Sequence, residues 1–247
     1  MTLVTLPIDA FSVEIVKTVR ANQVTIIVAE TGAGKSTRVP RFLMGAGHTM
    51  VITQPRRLAA RTVAARVAEE LGQKVGQMVG IRTREDRIEN QDTRILFATD
   101  GLAMIRELMG IRRYDILVLD EVHEWNTNIE VLVAWSKKRM SEDPDFRVVS
   151  MSATLDGKAL SEYFGGGTPH IEVPGRTYEV EKSEGGDLIG EVTRLATERK
   201  NILVFLPGKK EIDDAARALG AKNLGLPIIP LHGQLDKSAQ KLAFANY

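Results

Sequence analysis

Short apolar runs rich in β-branched residues recur along the chain, at Thr25 to Ala29, Met50 to Thr53, Ile95 to Ala98, Ile116 to Leu119, Val148 to Met151 and Ile202 to Leu206. Between several of them lie amphipathic stretches long enough for crossover helices. The alternation predicts an α/β fold in which a parallel sheet is covered by helices on both faces. Leu58 to Leu71 places Ala, Val and Leu among charged residues and stops at Gly72, as a surface helix with a glycine C-terminal cap does. From Gly165-Gly166-Gly167 to Gly175 the pattern dissolves into glycine, proline and turn residues, which predicts a domain boundary dividing the chain into residues 1–174 and 175–247. Beyond it the pattern predicts helices over Leu188 to Thr197, Lys209 to Leu219 and Lys237 to Phe244, and buried strands over Ile202 to Leu206 and Leu226 to Leu231.

Composition narrows this picture without redirecting it. The 247 residues suffice for one full core and the start of another, since single domains commonly run to ~100–200 residues. Hydrophobic residues make up 43% and charged residues 26%, the balance of a packed, water-soluble fold. With no cysteine, a disulfide framework and a thiolate zinc site are excluded, any metal must take oxygen or nitrogen ligands, and the expected location is cytoplasmic. No apolar run reaches the ~18 residues that a membrane span needs, and Met1 to Phe11 has neither the basic flank nor the apolar core of a signal peptide. Thirty-three basic against 32 acidic residues leave a formal charge of +1, so any nucleic-acid site must come from local placement.

The first apolar run is followed by Ala29-Glu30-Thr31-Gly32-Ala33-Gly34-Lys35-Ser36-Thr37. This fits the phosphate-loop pattern GxxxxGK[ST], with Ala29 in place of the first glycine. Gly32 and Gly34 let backbone amides turn inward around phosphate oxygens, while the helix that follows directs its positive end at the same charge. Lys35 reaches the β and γ phosphates and the Ser36 hydroxyl ligates magnesium. The plainer alternative is a glycine-rich strand-to-helix turn without a ligand, which leaves the Lys-Ser pair unexplained. The expected ligands are therefore Mg2+ and ATP, or another NTP, held by Glu30, Thr31, Gly32, Ala33, Gly34, Lys35, Ser36 and Thr37.

Downstream, Ile116 to Leu119 delivers Asp120-Glu121-Val122-His123 to the carboxyl edge of the expected sheet, where ligands sit in such folds. Asp120 would hold magnesium through water or directly, with Glu121 counted beside it and Ser36 among the metal-site residues, and Glu121 would also orient and deprotonate the attacking water. Alone, the two carboxylates would equally suit a solvated helix start. His123 is read as a coupling residue between the nucleotide and the second domain.

With these two segments in order, the sequence resembles the DEAH-box branch of superfamily 2 helicases, Val122 standing where alanine is usual. Thr53-Gln54-Pro55-Arg56-Arg57 resembles the segment that holds the nucleic-acid backbone. Thr99-Asp100-Gly101 is similar to the next backbone contact, and Ser152-Ala153-Thr154 to the linker between hydrolysis and strand movement. Leu203 to Gly208 with Glu211-Ile212, and Leu231 to Leu235, resemble the opening segments of the second motor domain. The resemblance implies a RecA-like ATP-binding domain followed by a partial second RecA-like domain, and an ATP-dependent motor acting on RNA, or on single-stranded DNA. It also implies that the nucleotide base lies between an arginine and a phenylalanine, positions that Arg66, with Arg61 as the alternative, and Phe244 resemble. Arg56, Arg57 and the Thr99 hydroxyl suit phosphate contacts that position a strand without reading it. An aromatic content of 5% favours backbone tracking over base stacking.

The family's Thr-Asn-x-Ala-Glu and arginine-rich segments have no counterpart here. Thr127-Asn128-Ile129-Glu130 superficially resembles the former but stands just past the acidic box, where a polar cap and an acidic residue open a helix. An arginine finger is worth ~10³–10⁵ in rate, so weak hydrolysis is expected of this chain by itself. The sequence is accordingly read as a truncated product, a fragment or half of a split helicase whose protein partner completes the second domain. The rival of a different class is a nucleotide-gated binding module that does not unwind.

Overall fold

The computed structural model describes residues 4–111, 114–154, 157–175, 181–235 and 237–243. It separates into two compact units, Met1–Tyr178 and Glu179–Tyr247. The first is built on eight strands: β1 (Val24–Ala29), β2 (Met50–Gln54), β3 (Val79–Arg82), β4 (Arg87–Ile88), β5 (Ile95–Thr99), β6 (Ile116–Leu119), β7 (Arg147–Ser152) and β8 (His170–Val173). They form one sheet in the order β4-β3-β5-β2-β6-β7-β1-β8. Every pairing is parallel except the β3–β4 hairpin.

A 3-10 turn (Pro7–Phe11) precedes helices α1 (Ser12–Ala21), α2 (Lys35–Gly45), α3 (Arg57–Glu70), α4 (Asp100–Leu108), α5 (Thr127–Glu142) and α6 (Lys158–Tyr163). Successive strand residues point to opposite faces, and the core divides accordingly. Ile27, Ile52, Phe97, Val118 and Met151 cluster with residues of α1, α2 and α3. Their alternates Ile26, Val51, Leu96, Leu117 and Val148 cluster with residues of α4, α5 and α6. Two-sided burial is why the central strands are continuous apolar runs. The five strands expected in this unit, and the helix expected over 58–71, are thus present with small changes at their ends, and α3 closes as expected, with Gly72 at φ 68° and its N–H donating to the Glu69 carbonyl.

The second unit holds α7 (Leu188–Thr197), α8 (Lys209–Gly220) and α9 (Lys237–Leu242). α7 is capped by Asp187, whose carboxylate accepts the Gly190 N–H at 2.9 Å. The expected buried strands over 202–206 and 226–231 are not formed among the described residues. Leu203 and Phe205 are 78% and 87% exposed, while Ile202, Val204 and Leu206 are half-buried. A strand exists only with a hydrogen-bonding neighbour, and neither segment has one among the described residues of this unit.

Candidate functional site

The phosphate loop leaves the carboxyl end of β1. Ala29, where the motif expects glycine, is buried and pairs with Val173 of β8. Gly32 and Gly34 lie at φ 85° and 101°, the left-handed region that side chains disfavour. Gly34 has a second reason to lack a side chain, because an added Cβ would lie 2.7 Å from Leu6 Cδ1. The Ile8 N–H donates to the Ala33 carbonyl at 3.2 Å. Since the peptide is planar and trans, that bond turns the Gly34 N–H to the side away from Ile8, and α2 begins immediately afterwards with no side-chain cap on its first turn. Arg38, one turn into α2, is buried against Asp9 at 3.2 Å, the Val4 carbonyl at 2.8 Å and Glu70. Glu70 also pairs with Arg41 at 2.8 Å and with Arg66 at 2.9 Å, so the N-terminal segment, α2 and α3 are locked together behind the loop.

The acidic box leaves β6. The loop and the box do not stand on adjoining strands, as a direct meeting of β1 and β6 would require: β7 lies between them. Side chains close the gap. Lys35, 5% exposed, brings Nζ to 3.2 Å from Glu121 Oε1, and His123 Nδ1 lies 3.4 Å from Glu121 Oε2. Glu121 sits at φ 55°, an unusual conformation for a residue with a side chain, and one that recurs at functional positions. Asp120 is 1% exposed. Its backbone N–H donates to the Thr53 hydroxyl at 3.2 Å, its Oδ2 accepts Gln54 Nε2 at 2.6 Å, and its Oδ1 accepts the Glu121 N–H at 3.0 Å. Burial, and then the Glu121 charge, push the Asp120 carboxyl up to about 6 against the opposing pull of the Ser36 hydroxyl, Lys35 and Gln54. The Val122 N–H donates to the Met151 carbonyl of β7 at 3.2 Å. Just beyond, the Ser152 hydroxyl accepts the Thr154 N–H at 3.2 Å, with Ala153 half-buried between them. The predicted Ser152-Ala153-Thr154 segment thus occupies the strand end between loop and box.

The predicted backbone-contact residues converge separately. Arg56, Arg57, Thr99, Asp100 and Gly101 line one open groove of about 990 Å³. Arg56 Nη2 pairs with Glu124 at 3.1 Å and Arg57 Nη1 with Glu85 at 2.5 Å. Thr99 is the N-cap position of α4, and Asp100 is buried with Oδ2 accepting Asn126 Nδ2 at 2.8 Å. Burial raises the Asp100 carboxyl, against that hydrogen bond. The sequence reading missed the far wall of the groove, Arg82, Arg84 and Arg87 of the β3–β4 hairpin. It also missed Asn126, whose Oδ1 accepts the Asn128 and Ile129 N–H groups and so caps α5.

The expected base contact Arg66 is engaged elsewhere on α3. Arg66 lies half-exposed on α3 in ion pairs with Glu69 and Glu70, and the alternative Arg61 pairs with Glu85 and Asp86 at 2.5 Å. Phe244 falls outside the described residues. Among the described residues, no three His, Cys, Asp or Glu side chains cluster as a metal cage, and no helix is long and apolar enough to cross a membrane.

Comparison with known proteins agrees with this fold. A family profile described as DEAD/DEAH box helicase matches residues 11–163. ATP-dependent RNA helicase HrpA of Escherichia coli is 37% identical over 264 aligned positions, which span 98% of this chain and 20% of HrpA. The Haemophilus influenzae HrpA homolog is 36% identical over 259 positions, 97% of this chain and 20% of that protein. The crystal structure of Escherichia coli DEAH/RHA helicase HrpB superposes with a TM-score of 0.82 at 28% identity, covering 97% of this chain and 33% of HrpB. The chain therefore spans about a fifth to a third of the length of these proteins.

Proposed function

The chain belongs to the DEAD/DEAH box helicase family, and on that premise we propose that it is the nucleotide-binding part of an ATP-dependent RNA helicase motor, with residues 1–174 as the ATP-binding domain and 175–247 as the opening of a second RecA-like domain. The observation that carries the reading is the Lys35–Glu121 contact at 3.2 Å, which joins the phosphate loop to the acidic box in space although they are far apart in sequence.

The residues fit a magnesium nucleotide. Mg2+ is usually bound by one or two carboxylates together with substrate phosphates rather than by an all-protein cage, and Asp120 with the Ser36 hydroxyl offers such a hard oxygen pair beside the loop. When bound, the ion neutralises charge on the phosphate oxygens. The amides of Glu30 to Thr37 cradle those oxygens. Lys35 exchanges its Glu121 partner for phosphate, and the Glu121 carboxylate, still steadied by His123, turns to orient and deprotonate the attacking water. RNA, or single-stranded DNA, lies along the groove with its phosphates on Arg56, Arg57, the Thr99 hydroxyl and the Gly101 backbone. Ser152, Ala153 and Thr154, set between the two phosphate-facing segments, carry the state of the nucleotide to the second domain. A protein partner would complete that domain, and Arg66 and Phe244 remain the proposed contacts to the nucleotide base.

A second reading, a nucleotide-gated RNA-binding module, is favoured by the exposure of Leu203 and Phe205, since transmitting force needs a second body as firmly packed as the first. Both readings are tested on one sample by measuring Mg·ATP affinity, ATP hydrolysis with and without single-stranded RNA, and unwinding of a tailed duplex. RNA-stimulated hydrolysis with unwinding supports the motor, and tight binding of both ligands without unwinding supports the module. Failure to bind nucleotide at all contradicts both.

A further inference from the structure

The ends of β2 and β6 wall the groove and also hold the buried carboxylate of the box. The two strands are neighbours, with Thr53 paired to Leu119, and their tails are tied at three points. The Asp120 N–H donates to the Thr53 hydroxyl, Gln54 Nε2 donates to Asp120 Oδ2 at 2.6 Å, and Arg56 pairs with Glu124 at 3.1 Å. The ties differ in kind. Gln54 is 1% exposed, so its bond to a carboxylate is shielded and directional. Arg56 and Glu124 are 73% and 38% exposed, so that pair is weak and open to exchange for another anion.

We infer that Gln54 is the positioning residue through which occupation of the groove reaches the Asp120 carboxylate, an inference that rests on the functional reading above. A phosphate drawn to Arg56 competes with Glu124 and pulls on the short segment Gln54-Pro55-Arg56, in which Pro55 fixes φ and removes slack. The Gln54 amide is the buried end of that segment, and it holds Asp120 directly. A second side-chain link between the box loop and the groove, Asn126 to Asp100, ends on the cap of α5. Glutamine suits the role because it donates to a carboxylate without adding charge of its own.

Because coupling between two ligands is reciprocal, it is measurable by binding alone. The test uses the 247-residue chain, a fluorescent single-stranded RNA oligonucleotide, and a non-hydrolysable ATP analogue with Mg2+. For the wild-type chain the RNA Kd should shift between the nucleotide-free and nucleotide-bound states by a factor on the order of 5–150. Gln54→Met keeps the volume and removes the donor. It should bring that factor to about one. Gln54→His, which retains an N–H donor, should restore part of the factor. A wild-type factor in Gln54→Met, or loss of both separate affinities together, overturns the inference. A wild-type chain that binds both ligands without coupling overturns the inference alone, whereas one that binds no RNA overturns the functional reading beneath it.

Discussion

The nucleotide end and the groove of the first unit are built from the same strand tails, yet they place their charges in opposite settings. At the nucleotide end Lys35 and Asp120 are 5% and 1% exposed, and each has few partners at fixed distances. In the groove Arg56 and Arg57 are 73% and 54% exposed, and five arginines share the space with four carboxylates. Buried charge is weakly screened and individually consequential, whereas exposed pairs contribute roughly 0–1 kcal/mol and are replaceable. The difference suits the proposed division of labour, in which a fixed nucleotide site lets single groups decide the outcome and a strand-binding surface spreads affinity over many.

The contrast is sharpest for Glu121. Replacing it with glutamine keeps the shape and removes the proposed base, so hydrolysis should fall by about 10²–10⁴ while nucleotide affinity is largely retained. Steady-state rates beside equilibrium binding check this, and a small rate loss would mean that another group activates the water.

A smaller effect is expected for Asp120, whose carboxyl is raised by burial from the ordinary 3.8 to about 6. A raised carboxyl means that the folded chain holds a proton which the unfolded chain releases. This stabilising contribution is complete below about pH 4 and is lost as pH rises through about 6. In the ligand-free chain Asp120→Asn should therefore raise stability by about 1–3 kcal/mol at pH 8, and the advantage should vanish near pH 3.5. Denaturant unfolding at the two pH values checks it. A pH-independent difference would place Asp120 in a more solvated setting than its burial indicates.

The groove should yield least to any single change. Arg56→Ala should weaken RNA binding by about fivefold or less and lower the salt slope by about 0.7, as salt titrations of RNA affinity will register. A loss of 100-fold from this one arginine would erase the contrast between the two regions.

Much of this was legible in the sequence for identifiable reasons. β1, β2, β5, β6 and β7 are covered on both faces, so their apolar runs are uninterrupted. β3 is broken by Gly80, β4 is two exposed residues, and β8 alternates exposed His170 and Glu172 with buried Ile171 and Val173. None of these carries a long apolar run, so none is legible as a strand in the sequence. The run 202–206 misled in the other direction, because apolar content signals burial without supplying a partner strand. The phosphate loop and box were readable as contiguous motifs, while the order β6-β7-β1 depends on long-range pairing. Arg82, Arg84 and Arg87 reach the groove only because β3 pairs with β5. Gln54 lies within a segment that resembles the family's backbone contact, but its buried bond to Asp120 follows from β2 and β6 lying side by side.

The central claim is that Lys35 and Asp120, delivered by strands on either side of β7, serve one magnesium nucleotide. Mg·ATP affinity measured across a double-mutant cycle of Lys35→Ala and Asp120→Asn tests it most directly. Each change should weaken binding by about 10- to 100-fold, and the pair should deviate from additivity by at least ~0.5 kcal/mol. Unchanged affinity in either single variant, or strictly additive losses, would contradict a shared site.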